Sequence, residues 1–439
     1  MEAWIQSART LVLIAVRNLL QNKKRTLLLG TAVAMVTVLL VLLSSLLNGM
    51  QDTMLRNATT LSSGHVNVAG FFKITSGTAA PVVTHYAELE AAVRKHVTGL
   101  DLIVERGRGW GKVISETTSL QSAIAGIDID RERGFMEAVT LESGDLKQLH
   151  EPHTVMIFHS QAEKLGVKVG DEVTISSPTF RGVSNTVELK IVAVAKDMGM
   201  LSSFSVFVHH DAIRDLYLLD ESTTGALHVY LKDPDRSEEV ASKLQTALQK
   251  DGYRLMERVA EPFWRKFDTV KREDWTGQKI DITTWIDEMK FMRFTLDAVK
   301  WIRNILVAVL LVIIVIGVMN TLWISIRERT REIGTLRAIG MQRLSIMAMF
   351  MTEAAILALV ATTVGVLLGA LTATLLTHAH LVAPKMFQLF LMTETWRLVV
   401  DRAIALWSLG IIALLTTVGA LYPSYRATRL QPVTAMHAN

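Results

Sequence analysis

The sequence predicts an α-helical membrane protein: four transmembrane helices, with a large α+β extracytoplasmic domain inserted between spans one and two. Three observations predict it. Apolar runs occur at 27–49, 305–326, 346–376 and 403–422, and each reaches the roughly 20 residues that a helix needs to cross a bilayer. Residues 50–304 between the first two runs are polar and mixed in pattern. Lys and Arg gather beside the runs instead of spreading evenly.

Composition agrees with that division. Of 439 residues half are hydrophobic, and the mean hydropathy is +0.31, high for a soluble protein yet low for a bare helix bundle. Net charge is +4 with a pI near 9.1. A basic balance can signal nucleic acid, but basic residues placed beside apolar runs report topology, so the expected partner is the lipid membrane and not nucleic acid. There is no Cys, which excludes structural disulfides, thiol catalysis and Cys-bound metal.

The elements follow in order. Residues 1–26 place Trp4, Ile5, Ala8, Leu11, Val12, Ala15, Val16 and Leu19 at helical spacing, with Arg9, Thr10, Arg17 and Asn18 on the other face. This predicts an amphipathic helix on the cytoplasmic membrane surface, or one packed on the spans. The run at 27–49 is longer than a signal core and is followed by no small-residue cleavage pattern, so it is expected to remain as an anchor. Arg9, Arg17, Lys23, Lys24 and Arg25 precede it, Arg327, Arg329, Arg331, Arg337 and Arg343 follow span two, and Arg426 and Arg429 follow span four. The positive-inside rule places these segments in the cytoplasm and the 50–304 domain and the 377–402 loop outside.

The inserted domain reads as α+β, with a subdomain boundary near 130–150. Helical patterns cover 85–97, 161–165 and 236–250. Strand patterns cover 102–105, 112–116, 119–127, 172–176, 186–195, 205–208 and 227–231, the earliest separated by glycine turns. Trp285, Met289, Met292, Leu296, Val299 and Ile302 recur every three or four residues, which predicts one continuous helix from Trp285 into span two. With 50–62 extending span one in the same way, two such extensions make a stalk. In span three, Ala361, Gly365, Gly369 and Ala373 put a small residue at every fourth position, a groove into which another helix can pack closely.

A search for chemistry finds little. Gly107, Gly109, Gly111 and Lys112 resemble a phosphate loop, but Arg106 and Val113 stand where a glycine and a hydroxyl are required, so a glycine-rich turn is expected. His209–His210, His378 with His380, and His150, His153 and His159 lack a carboxylate at metal-motif spacing and read as surface histidines; no metal site and no catalytic residue is assigned. The informative segment is 327–343. As a helix it sets Ile333, Leu336 and Ile339 to one side and alternates acids with arginines elsewhere. It reads either as a topology anchor or as a docking site for a cytoplasmic partner.

The wording of that segment, Arg-Glu-Arg-Thr-Arg-Glu-Ile-Gly-Thr-Leu-Arg-Ala-Ile-Gly from 327 to 340, resembles the signature of the MacB/FtsX/LolC–LolE superfamily of ABC transporter permeases. The basic lead-in 18–27 resembles that family's approach to span one. Residues 422–436, with Pro423, Ala427, Pro432 and Ala435, resemble its C-terminal ending, from which Tyr425 and Thr428 depart. Residues 162–171 resemble its Ala-x-x-Leu-Gly-x-x-x-Gly-Asp segment. The family's layout, one span, a large external domain and three further spans, resembles this one over the whole chain, and the four segments stand in the right order.

The resemblance implies a permease of the bacterial inner membrane that works as a homo- or heterodimer with a separate ABC ATPase subunit. Cofactors would be none in this chain, with ATP and Mg on that ATPase. Glu328, Arg329, Arg331, Glu332, Ile333, Gly334, Leu336, Arg337 and Gly340 would form the coupling helix that meets it. The substrate would be handled outside the membrane, by lipoprotein release or by export of a peptide or amphiphile. Two alternatives stand beside this: an FtsX-like regulator that activates extracytoplasmic cell-wall hydrolases, and a membrane-anchored adhesion or sensing protein with no ATPase. Glu353 inside span three is an acid that hydrocarbon tolerates only when paired or hydrated.

Overall fold

The computed structural model describes residues 2–75, 79–180, 182–384, 388 and 395–428, with the side chains of 2–11, 133, 200, 201, 291–293, 295, 296 and 404 outside the description. The expected apolar face of residues 4–11, the stalk side chains Met292 and Leu296, residues 385–387 and 389–394 of the 377–402 loop and the tail from 429 onward therefore lie outside the described residues. Two compact units emerge. One holds residues 1–50, 296–381 and 396–439, the other 51–295 and 382–395.

The membrane unit is built from long apolar helices. Helix α1 covers Glu2–Gln21 and α2 covers Lys23–Ala58, while α11 (Lys290–Glu328), α12 (Thr330–Ala338), α13 (Arg343–His378) and α14 (Arg402–Ala427) complete it. Among the described residues four helices are long and apolar enough to cross a membrane: Lys23–Ser63, Asp297–Glu328, Arg343–His378 and Ala405–Ala427. Their core includes Val33, Ile314, Val318, Ile346, Phe350, Ala354, Ile412 and Ala420. Large apolar side chains such as Ile313, Ile316, Leu367, Leu371, Leu406 and Trp407 point outward. In water such a surface would be an aggregation patch; in lipid it is the expected solvent-facing side. Helix α14 continues through Pro423 to Ala427, past the expected end at 422.

The second unit is α+β. Strands β1 (Val66–Lys73), β2 (Leu100–Ile114), β9 (Ala226–Leu231) and β10 (Gly277–Thr284), with helices α3 (Tyr86–His96) and α8 (Ser237–Lys250), run β-α-β-β-α-β along the chain. All neighbours are antiparallel in the order β10-β1-β9-β2, which is the ferredoxin-like arrangement. Its core joins Val66, Val68 and Ile282 of the sheet to Leu89, Val93, Leu244 and Leu248 of the helices. Residues 107–225 are inserted between β2 and β9. They carry β3 (Ser119–Ile127), α4 (Arg133–Ala138), β4 (Leu141–Gly144), β5 (Thr154–Phe158), α5 (His159–Leu165), β6 (Glu172–Pro178), β7 (Ser184–Ala195), α6 (Gly199–Phe204), β8 (Ser205–His209) and α7 (His210–Tyr217).

Pairing within the insert runs β2-β3-β8-β5-β7-β6 and back to β2, so these six strands close on themselves, and β4 adds to β7 as an outer edge strand. The barrel is filled by Val113, Ile124, Val155, Ile157, Ile175, Leu189, Ile191 and Val206. Strand β2 belongs to both parts: Leu100–Arg106 pairs with β9, and Gly107–Ile114 pairs with β3. The subdomain boundary is therefore a double crossing near 106 and 226 and not one cut near 130–150. The chain leaves the first sheet and returns to it.

The glycines of β2 correct another expectation. Gly107, Gly109 and Gly111 lie inside the strand and form no turn. A Cβ on Gly109 would sit 2.5 Å from the Tyr217 ring, and one on Gly107 would sit 3.1 Å from Ile213. Helix α7 thus lies directly on the strand. Tyr217 fastens it, its hydroxyl donating to Trp110 O at 2.9 Å and accepting from Trp110 N at 2.8 Å.

The helix expected to run unbroken from Trp285 is also interrupted. Helix α10 covers only Trp285–Glu288, closed into a capping box by Thr284 and Asp287. Met289, buried at φ −101° and ψ 21°, separates it from α11. Trp285 and Met289 thus precede the long helix, and Val299 lies within it.

Candidate functional site

The charged segment after span two folds as a separate helix with one face fixed and the other exposed. Arg329, at φ −104° and ψ 17°, breaks α11 from α12. At the other end Gly340 takes φ +104°, a conformation glycine adopts without steric cost. Gly340 N donates to Arg337 O at 3.1 Å and Met341 N to Leu336 O at 3.0 Å, the paired bonds that end a helix and use its last carbonyls.

The fixed face is the stripe 329, 333, 337, spaced four apart. Arg329 Nη2 donates to Asn18 Oδ1 of α1 at 3.0 Å, and its Nη1 lies 3.7 Å from Glu353 Oε2 of α13. Ile333 is 1% exposed and joins the bundle core. Arg337 Nη1 donates to Thr428 O at the end of α14, at 2.7 Å. Helix α12 is thereby attached to α1, α13 and α14. Glu353 also accepts from Arg25 Nη2 at 3.3 Å, and Arg25 Nη1 donates to Glu328 at 3.4 Å. The acid in span three is paired with cations of two other segments, which is how a charge survives there.

The nine residues expected to meet a partner divide between the faces. Arg329, Ile333 and Gly334 turn into the bundle, and Leu336 and Arg337 are half-buried. Glu328, Arg331, Glu332 and Gly340 are exposed, and Ile339 is 82% exposed. Ile339 does not share a face with Ile333, because the inward stripe recurs at four residues and Ile339 lies six away.

The small residues of span three meet α2. Ala361, Gly365, Gly369 and Ala373 are all buried. A Cβ on Gly365 would lie 2.6 Å from Thr37 Cβ and 2.7 Å from Ala34 O, and one on Gly369 would lie 3.0 Å from Val41 Cβ. In lipid, such contact is the main source of helix association. The polar face expected on α1 is partly reversed: Asn18 is buried, while Leu13 and Leu20 are more than 60% exposed.

Among the described residues the group best placed for a metal is His209, His210 and Asp211. His209 Nδ1 accepts the Asp211 amide at 3.3 Å, so that ring caps α7. The sequence reading overlooked Arg25 as the partner of Glu353. It also overlooked a second set of buried charges, in the α+β unit, on Arg106, Arg108, Glu132, Asp281 and Glu288. Charged residues interrupting strand patterns were the available signal.

A large domain inserted after the first of four spans, with a short charged helix buttressed between spans two and three, defines a multi-pass permease of the ABC type. Comparison with known proteins bears on the same point. Residues 26–247 match the model of the MacB-like periplasmic core domain, and residues 304–432 match that of the FtsX-like permease C-terminal domain. The chain belongs to the MacB/FtsX family of ABC transporter permeases.

Its relatives include an uncharacterized ABC transporter permease of Methanocaldococcus jannaschii, 20% identical over 96% of each chain. LolC of Neisseria meningitidis, a lipoprotein-releasing system transmembrane protein, is 24% identical over 63% of this chain and 62% of its own. MacB of Nitrobacter winogradskyi, a macrolide export ATP-binding/permease protein, is 37% identical over 28% of this chain, and the match spans only 17% of its length. The periplasmic region of MacB from Actinobacillus actinomycetemcomitans matches 52% of this chain and 92% of its own at 11% identity, with a TM-score of 0.30.

Proposed function

We propose that this permease, as a dimer, couples ATP hydrolysis by a cytoplasmic ABC ATPase subunit to work on a substrate outside the membrane, of the lipoprotein-release or amphiphile-export kind. ATP and Mg act on the ATPase. The observation that carries the reading is the division of α12: one stripe tied to α1, α13 and α14, the opposite face charged and exposed. A push on the open face reaches the spans through rigid attachments. Both termini and α12 are then cytoplasmic, and the α+β unit is periplasmic.

Two experiments test it. Reversing charge at Arg331 and Glu332 together removes the Glu332 bond to Arg329 Nε but leaves the Arg329 bond to Asn18 and the Arg337 bond to Thr428, and should abolish copurification of the ATPase while the chain still inserts, since charge complementarity sets docking. Normal copurification would reduce α12 to a topology anchor. In this Cys-free chain, a single Cys at Ser143 should react with an impermeant reagent from outside and one at Ser345 should not. The reverse pattern overturns the orientation and the function with it.

A further inference from the structure

Within the unit of residues 51–295, two arginines of β2 lie at the end of the helix that runs into it and beside the short helix α10 that precedes the helix leaving it. The first membrane helix ends in a π-helical turn, Thr59–Ser63, before Gly64 at φ +63°. A helix end leaves carbonyls without partners and carries partial negative charge. Here they are taken up from one side: Arg106 Nη1 donates to Leu61 O at 3.2 Å, Arg106 Nη2 to Thr60 O at 3.3 Å, and Tyr230 Oη to Thr59 O at 3.1 Å. Arg106 is 2% exposed and its charge is met by Glu132, also buried.

Two residues along the same strand, Arg108 reaches, through Asn67, the short helix α10 that precedes the second. Its Nη2 donates to Asn67 Oδ1 at 2.7 Å. Asn67 Nδ2 donates to Thr283 Oγ1 at 2.9 Å and to Glu288 Oε1 at 3.2 Å. Thr283 Oγ1 adds a bond to the same oxygen at 2.7 Å. Phe263 N donates to Glu288 Oε2 at 3.3 Å, and the Arg108 guanidinium lies over the Phe263 ring at 4.5 Å. Glu288 is the last residue of α10, two before α11 begins. Burial drives the Glu288 pKa up and the Arg108 pKa down, as desolvation does to any buried charge, and each opposes the other's shift.

Residues i and i+2 of a strand share a face, and between these two lies Gly107, against which Ile213 packs from the other side. We propose that Arg106 and Arg108 fasten the end of the first membrane helix and the start of the second to one strand, so that the two ends shift together and not separately. Since β2 is the strand common to the ferredoxin-like part and the barrel, any displacement of either end is delivered to both parts at once. The use of that movement rests on the permease mechanism proposed above; the coupling of the two ends does not.

Hydrogen exchange on the full chain in lipid nanodiscs, without any ATPase, tests it. Arg108→Met removes the Asn67 bond and the contact with His228 Nε2, and none of the bonds that Arg106 and Tyr230 make to the first helix end. Amides of residues 59–64 should nonetheless exchange about tenfold faster, together with those of 284–290, while 112–114 farther along β2 keep their wild-type rates. An increase confined to 284–290 shows two independent anchors and overturns the proposal. So does an equal rise at 112–114, which is general loosening of the sheet. If Arg108→Met does not fold, Glu288→Gln provides the same comparison, with the same outcomes supporting or overturning it. In the converse variant, Arg106→Met with Glu132→Gln, the amides of 284–290 should accelerate although no bond there has been removed.

Discussion

Arg25 Nη2 donates to Glu353 Oε1 at 3.3 Å, joining the first turn of α2 to the third turn of α13. The other carboxylate oxygen faces Arg329 at 3.7 Å. One acid therefore balances two arginines from different segments, and α12 hangs from the same group. Its side chain is only 5% exposed, so little water is available to replace a lost partner.

Glu353→Ala leaves two cations side by side, each with one remaining acid, Glu328 for Arg25 and Glu332 for Arg329, and should cost about 3 kcal/mol, the low end for breaking a buried charge group. Replacing Glu353, Arg25 and Arg329 together with Leu should recover most of that loss, because apolar residues of similar volume often match a buried ion pair. Thermal unfolding in detergent measures both. A loss below about 1 kcal/mol in the single variant would place the pair in the weak, solvent-screened class.

The contact between α13 and α2 makes a sharper prediction about size. Gly365→Ala places a carbon 2.6 Å from Thr37 and 2.7 Å from a backbone carbonyl, so the helices must separate, at about 1–3 kcal/mol for overpacking. Gly410 in α14 has nothing within 4 Å of its missing Cβ, and Gly410→Ala should be neutral or gain the better helix propensity of alanine. Equal melting shifts for the two variants would contradict this packing.

The two isoleucines of the 327–343 segment should behave oppositely. Ile333→Asp buries a charge in the bundle core and should prevent stable accumulation. Ile339→Asp, at a position 82% exposed, should keep stability within about 0.5 kcal/mol yet reduce ATPase copurification. Full copurification by Ile339→Asp would remove the open face of α12 from the interface.

How far the sequence disclosed this molecule depended on how local the determinant was. Runs of some twenty apolar residues have one stable solution in lipid, so the spans are legible. Strands with one wet face, such as β7, show alternation. Strand β1, Val-Asn-Val-Ala-Gly-Phe-Phe-Lys, is buried almost throughout and shows none. Strand β10 carries Asp281 and Thr283 inward, and their reason appears only when Lys266 and Asn67 arrive from elsewhere in the chain. The glycines of β2 looked like a turn because Tyr217, about a hundred residues later, is what excludes a side chain. The stripe on α12 was misjudged for a similar reason: Ile333 and Ile339 are equally apolar, and only the positions of α1, α13 and α14 decide which faces in.

His228 supplies the last prediction, one of pH dependence. The ring is fully buried, with Nε2 3.4 Å from Arg108 Nη2, and burial together with Arg106 and Arg108 lowers its pKa well below 6.5. In the unfolded chain the imidazole titrates at its ordinary value. Below about pH 6.5 the unfolded state therefore binds a proton that the folded state refuses, and stability falls as pH falls, by up to about 1.4 kcal/mol per unit. The contribution is complete above pH 6.5 and is lost on acidification until the folded pKa is reached. Glu132, Asp281 and Glu288 act in the opposite sense. Burial raises their pKa values, so they retain protons in the fold, and the stability they contribute is present in acid and lost as pH rises through those folded values. Comparison with His228→Phe separates the histidine from them, since the carboxyls remain in both chains. Between pH 7.5 and pH 5.5 the wild type should lose about 1.4 kcal/mol relative to the variant, measured by urea unfolding in detergent. An unchanged difference at the two pH values would mean that the ring protonates in the fold as readily as in water, and that Arg106 and Arg108 do not enclose it.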